Sequence, residues 1–72
     1  MPEPSIFELR TEFITLGQFL KAAGMVDEGW QAREFLQREY VRVNGEPENR
    51  RGRKLRPGDL VEWNGQTFEI QG

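Results

Sequence analysis

The sequence contains no cysteine and no histidine. Disulfides are therefore excluded, and the usual zinc ligand sets are missing. The same absence removes the customary pairs of nucleophile and base used in hydrolysis and group transfer. Asp27 and Glu28 are adjacent carboxylates, but they stand at an expected helix start, where capping accounts for them. No glycine-rich phosphate loop of the Walker or dinucleotide type is present. A non-catalytic protein with no cofactor and no small-molecule substrate is expected. Nowhere do about 18 apolar residues run together as a membrane span requires. The start, MPEPSIFELR, also lacks the basic and then apolar pattern of a secretory signal. These features predict a soluble, cytoplasmic protein without membrane contact. With 72 residues, one small domain over residues 1–72 is expected, because such a chain buries only about 60% of its unfolded surface.

Charge is scarce in net terms but unevenly spread. The formal net charge is −2, which argues against a protein that coats nucleic acid indiscriminately. Residues 1–48 hold nine acids and five bases, residues 49–58 five bases and no acid, and residues 59–72 three acids and no base. A ligand approaching within a Debye length of roughly 8 Å feels the local patch rather than the average.

Hydrophobic spacing supplies the elements. Residues 1–5 form a lead-in, and Ile6 to Arg10 alternates as a short half-buried strand with Phe7 and Leu9 inward. Thr15-Leu16-Gly17-Gln18 fits a capping box, with Ile14 and Phe19 at the staple positions. Leu16, Phe19, Leu20 and Ala23 then follow a helical stripe that Gly24 can end in the left-handed region. Asp27 is expected to cap a second helix with the stripe Ala32, Phe35, Leu36 and Tyr40. On its polar surface Gln31 and Arg33 project to solvent, and Glu34 and Arg38 stand at a favourable i, i+4 spacing. The period changes to two at Val41-Arg42-Val43, and Asn44-Gly45 ends that strand in a tight turn. Arg56-Pro57-Gly58-Asp59 fits a type II turn. A hairpin then spans Leu60 to Ile70 around Asn64-Gly65, with Val61, Trp63, Phe68 and Ile70 on one face. Trp30 and Trp63 are expected to pack, the alternative for Trp30 being an exposed stacking surface. The sum is an α+β fold, two short helices packed on a small, mainly antiparallel sheet.

The feature that singles out this chain is the stretch VRVNGEPENRRGRKLRPGDL over residues 41–60. Arg50, Arg51, Arg53, Lys54 and Arg56 lie within seven positions of it. Guanidinium groups spaced along a loop between two tight turns present many donors to phosphate oxygens. A merely solvated charge run is the plain alternative. Gly52 lets a ligand approach the backbone, and Gly29 leaves the start of the second helix bare.

ITLGQFLKAAG, then GWQAREFLQ, then VRVNGE with RRGRKLRPGD, in that order, resembles the RNA-binding domain named after small-subunit ribosomal protein four. This S-four domain is also called the αL motif. The chain looks most like the short stand-alone bacterial members of the YaaA/YbcJ type, over residues 13–70. The resemblance implies binding of structured RNA, with ribosomal RNA as the expected target, across the second helix and the loop after the first strand of the motif. By position, Arg33 matches the basic residue after alanine in that helix. Asn44 matches the asparagine of the VNG turn, and Arg50, Arg51, Arg53 and Lys54 match the basic loop. Many members carry Arg-Leu-Asp where this chain has Thr15-Leu16-Gly17, and Ser-Arg-Ser where it has Glu28-Gly29-Trp30. With Gln31 and Arg56 added from the residues themselves, these positions form the expected RNA surface. Its rivals are a protein-interaction module using the first strand or the basic loop to meet an acidic partner, and a DNA-binding protein.

Overall fold

A computed structural model describes residues 3–72 of the chain. Met1 and Pro2, part of the expected lead-in, lie outside the described residues, and Ser5 already belongs to the first strand. The elements run β1 (Ser5–Glu8), β2 (Ile14–Thr15), α1 (Leu16–Ala22), α2 (Gln31–Arg38), β3 (Val41–Val43), β4 (Glu46–Pro47), β5 (Lys54–Leu55), β6 (Leu60–Trp63) and β7 (Gln66–Gln71). The main sheet has the order β1-β7-β6-β3-β4, and β2 and β5 form a separate two-stranded ladder. Within the main sheet β1 runs parallel to β7, and the other neighbours are antiparallel. The α+β expectation is met.

The core lies between the helices and the inward face of that sheet. Leu16, Phe19 and Leu20 of α1 join Ala32, Phe35 and Leu36 of α2 over Val41, Val43, Val61 and Ile70. Phe19 meets Phe7 and Phe68 edge-on, with ring centroids 5.1 and 5.4 Å apart. Trp63 packs on Phe35 at 5.4 Å as expected, and its indole N–H donates to Glu39 Oε1 at 3.2 Å. The β6–β7 hairpin has the predicted register, Trp63 opposite Gln66 and Val61 opposite Phe68. Both Asn-Gly pairs take positive φ, 54° and 83° at Asn44-Gly45 and 53° and 77° at Asn64-Gly65. Two positive φ values in sequence match the twist of the strands they join.

Helix α1 begins with the predicted capping box between Thr15 and Gln18. It ends with Gly24 at φ +81°. There the Gly24 and Met25 amides donate to the Lys21 and Leu20 carbonyls at 3.0 and 2.9 Å, the double closure that satisfies the last carbonyls of a helix.

Helix α2 departs from expectation. It starts at Gln31 with Trp30 at the N-cap position, and no side chain caps it. Asp27 does not cap the helix, because the helix starts four residues after it, and the intervening turn is closed by the Gln31 side chain. Gln31 Oε1 accepts from the Asp27 and Glu28 amides at 2.9 and 2.8 Å. Gln31 is consequently half-buried rather than projecting freely. Tyr40 does not extend the α2 stripe; the helix ends at Arg38, and Tyr40 is exposed. Trp30 does not pack either. It is 69% exposed.

Candidate nucleic-acid interface

The basic loop between β4 and β5 is docked on α1 by its own backbone. The Leu16 amide donates to the Arg53 carbonyl at 2.7 Å, and the Gly17 amide donates to the Arg51 carbonyl at 2.8 Å. These are two of the amides that a helix start leaves without partners inside the helix. The approach is close enough that a side chain at Gly17 would press on the loop. A Cβ on Gly17 would lie 3.3 Å from both the Cβ and the carbonyl oxygen of Arg51. The loop then enters the β2–β5 ladder, where Ile14 pairs with Leu55 and Thr15 with Lys54. Leu55 is fully buried, which anchors that end in the core.

Carboxylates divide the five cations into two sets. Glu48 takes the Arg50 guanidinium on both oxygens, at 3.0 and 3.0 Å. It also accepts from the Arg50 amide at 3.1 Å and from Arg53 Nη1 at 3.1 Å. The Glu48 side chain is only 7% exposed. The Arg50 guanidinium above all, with the Arg50 amide and Arg53, outweighs burial and lowers the Glu48 pKa from 4.5 to about 2. The loop is therefore not a uniform array of free cations. Arg50 nevertheless keeps most of its side chain in solvent, at 72% exposed.

Arg51, Lys54 and Arg56 form the second set. Among the described residues they have no carboxylate within salt-bridge distance, and neither do Lys21 and Arg33. All five are exposed. Lys54 Nζ and Arg56 Cζ lie 4.9 and 5.7 Å from the centre of the Phe13 ring. That contact orders their stems without neutralising their charge. Arg51 faces a different part of the surface. With Gln18, Lys21, Gly29 and Gly52 it lines an open depression of about 510 Å³ between the loop, α1 and the approach to α2. Arg33 lies four residues beyond Gly29, in the first turn of α2.

Two of the expected site residues hold other groups in place. Asn44 Nδ2 donates to Asp59 Oδ1 at 3.0 Å, while Asn44 Oδ1 accepts from the Leu60 amide at 2.9 Å. Asp59 Oδ2 in turn accepts from the Arg56 amide at 2.8 Å. Asn44 thus clamps the predicted Arg56–Asp59 turn, in which Gly58 has φ +98° and the Asp59 amide donates to the Arg56 carbonyl at 3.0 Å. Gln31 shapes the start of α2 through the two amides already described. Glu48, Gly17 and Lys21 escaped the expected site. Gly17 carried the only visible signal, a residue costly to helix formation inside an otherwise regular stripe.

The family model for the S4 domain matches residues 7–71, and the chain belongs to this S4-domain family. The match takes in Phe7 and Glu8 of β1, which lie before the stretch that carried the resemblance in the sequence. The chain is also similar to a protein of Bacillus subtilis (strain 168) described as "Probable ribosome maturation protein RlbA". The two are 58% identical over 61 residues, covering 83% of this chain and 86% of the relative. No helix among the described residues is long and apolar enough to cross a membrane.

Proposed function

We propose that the chain is a non-catalytic RNA-binding protein that contacts structured ribosomal RNA during ribosome maturation in the cytoplasm. Residues 1–72 act in this reading as one RNA-binding unit with its core over residues 13–70. Arg51, Lys54, Arg56 and Arg33 contact phosphates, joined by the exposed guanidinium of Arg50. Arg53 and Glu48 fix the loop, and Gln31 and Asn44 position the flanking turns. The observation that carries this reading is a loop held by its backbone on α1 while Arg51, Lys54 and Arg56 remain exposed and free of carboxylate partners. Cations on a fixed backbone lose little entropy when they meet a regular line of phosphates. The grooves of A-form RNA favour such recognition of shape and phosphate over base reading. Membership of the S4-domain family and the printed name of the Bacillus relative support the choice of RNA and of the ribosome.

The test compares a structured ribosomal RNA fragment, duplex DNA of equal length and an acidic protein at several salt concentrations. The proteins are wild type and the triple variant Arg51→Ala, Lys54→Ala, Arg56→Ala. Wild type should prefer RNA, with log affinity falling against log salt at a slope of roughly −3 to −4 for about five neutralised phosphates. The triple variant should bind on the order of 30-fold more weakly, with a shallower slope and an unchanged melting temperature. Equal RNA affinity in the two proteins refutes the loop assignment. DNA or the acidic protein bound as tightly as RNA refutes the choice of ligand.

A further inference from the structure

Trp30 is the largest exposed apolar side chain of the described molecule, at 69%. Its ring has no aromatic partner, and its indole N–H has no acceptor, among the described residues. The backbone beneath it is nevertheless fixed. Gln31 Oε1 holds the Asp27 and Glu28 amides, and the Gln31 amide donates to the Glu28 carbonyl at 3.0 Å. A large indole displayed from a fixed turn is poised for a ligand, since indole surface left in water forgoes the burial that the rest of the core obtains.

The surroundings select that ligand. Trp30 follows Gly29, whose Cα side is open with nothing within 4 Å of the Cβ position, and Gly29 lines the depression shared with Lys21 and Arg51. Trp30 has helical backbone angles, φ −68° and ψ −21°, so Arg33, three residues on, emerges on an adjoining side of the same turn. The ring therefore neighbours Arg33 in the helical turn, and the residue before it borders the depression of Lys21 and Arg51, cations suited to phosphates. Asp27 and Glu28, both exposed, precede it in the chain and disfavour phosphate next to themselves. An uncharged group attached to a phosphate chain satisfies both conditions. We propose that Trp30 stacks on an unpaired nucleobase next to an RNA helix whose phosphates lie along Arg33, Lys21 and Arg51. This inference rests on the RNA-binding reading above and adds a preference for a bulge or loop at a defined place beside the duplex. Bases in a paired helix offer no face to an external ring.

The test uses two RNA hairpins that differ only in one unpaired adenosine within the stem. Wild type, Trp30→Ala and Trp30→Phe are compared by mobility shift. Because Trp30 is exposed, its replacement leaves the core unaltered. Wild type should bind the bulged hairpin about tenfold more tightly than the paired one, the lower end of what one base stacked on an aromatic contributes. Trp30→Ala should bind both hairpins at the paired level, and Trp30→Phe should retain much of the preference. In a Trp63→Phe background, the emission of Trp30 should be quenched by the bulged hairpin far more than by the paired one. A bulge preference that survives in Trp30→Ala overturns the inference while leaving RNA binding intact. So does a Trp30→Ala protein that loses binding only to ribosomal proteins freed of RNA, which assigns the ring to a protein contact. Failure of wild type to bind either hairpin or the ribosomal RNA fragment removes the RNA-binding reading itself, and this inference with it.

Discussion

The β6–β7 hairpin and the basic loop are both short segments bracketed by tight turns, yet they are held by opposite means. The hairpin is held by alternation: Val61 and Ile70 are buried, and Trp63 and Phe68 pack against the same core. Its Asn64-Gly65 turn only has to reverse the chain. The loop between β4 and β5 contains no apolar residue before Leu55, so its shape comes from polar devices, one at its own start and the others supplied by other parts of the chain. These are the α1 amides of Leu16 and Gly17, the Glu48 carboxylate and the Asn44–Asp59 clamp. A segment that must leave Arg51, Lys54 and Arg56 free for a ligand cannot also use those side chains to fold. Borrowed contacts resolve that conflict, and each can be removed separately.

The largest effect is expected at Gly17. Alanine there would gain helix propensity of about 1 kcal/mol while crowding Arg51, so it is an uninformative change. Valine adds two further carbons at a position already 3.3 Å from the loop. Gly17→Val should cost about 2 kcal/mol through overpacking and lift the loop from α1. Hydrogen exchange then distinguishes the two regions. The Leu16 and Gly17 amides should exchange far faster than in wild type, and the β6–β7 amides should slow or speed only with global stability. Unchanged protection at Leu16 and Gly17 would show that the docking is not what shapes the loop.

Next comes Glu48, which holds two arginines of its own loop, whereas Glu62 of the hairpin pairs with the single Arg42 of β3 at 2.7 Å. Its folded pKa is near 2 against an ordinary 4.5, so ionised Glu48 stabilises the folded state fully above about pH 4.5. That contribution is lost as the pH falls through the folded value near 2. Because the Arg50 side chain is largely in solvent, the effect is discounted to about 1–2 kcal/mol at neutral pH. Glu48→Gln should lower the melting temperature by several degrees at pH 7. The gap between variant and wild type should close progressively below pH 4.5 and vanish near pH 2. A gap independent of pH would mean that shape, not charge, is what Glu48 contributes.

The same contrast explains how much could be read in advance. The hairpin register, both Asn-Gly turns, the capping box of α1 and the Gly24 stop are local patterns, complete within a few residues, and all were legible. The loop's supports are not local. Leu55 is a single apolar residue among bases, and its burial depends on pairing with Ile14 from the other side of α1. Glu48 looked like the acidic edge of a basic run, whereas it reaches into the run and holds two of its arginines. The start of α2 differs from expectation because the helix begins at Gln31, four residues after Asp27, and the turn before it is closed by the Gln31 side chain on the Asp27 and Glu28 amides, a contact that the capping pattern at Asp27 does not encode. Trp30 was expected to pack and is 69% exposed instead, since one aromatic outside a periodic stripe carries no directional information.

The finest comparison uses the two Asn-Gly turns, which differ by 1° in φ at asparagine and by 6° at glycine. Replacing either asparagine by alanine forces a residue with an ordinary Cβ into the left-handed region, at a cost of about 1 kcal/mol. That part is common to both sites. Asn44 alone also holds the Leu60 amide and Asp59 Oδ1, and through Asp59 the amide of Arg56. Asn44→Ala should therefore be less stable than Asn64→Ala by about 1 kcal/mol, the net worth of the hydrogen bonds that differ. Denaturant unfolding of the two variants gives the difference directly, with equal m-values expected because neither change touches the core. The ligand readout should separate them further. Loosening the Arg56–Asp59 turn displaces Lys54 and Arg56, so Asn44→Ala should weaken RNA binding several-fold, whereas Asn64→Ala should leave it unchanged. If both variants lose equal stability and neither loses affinity, the clamp contributes only a turn, and the basic loop would have to be shaped by α1 and Glu48 alone.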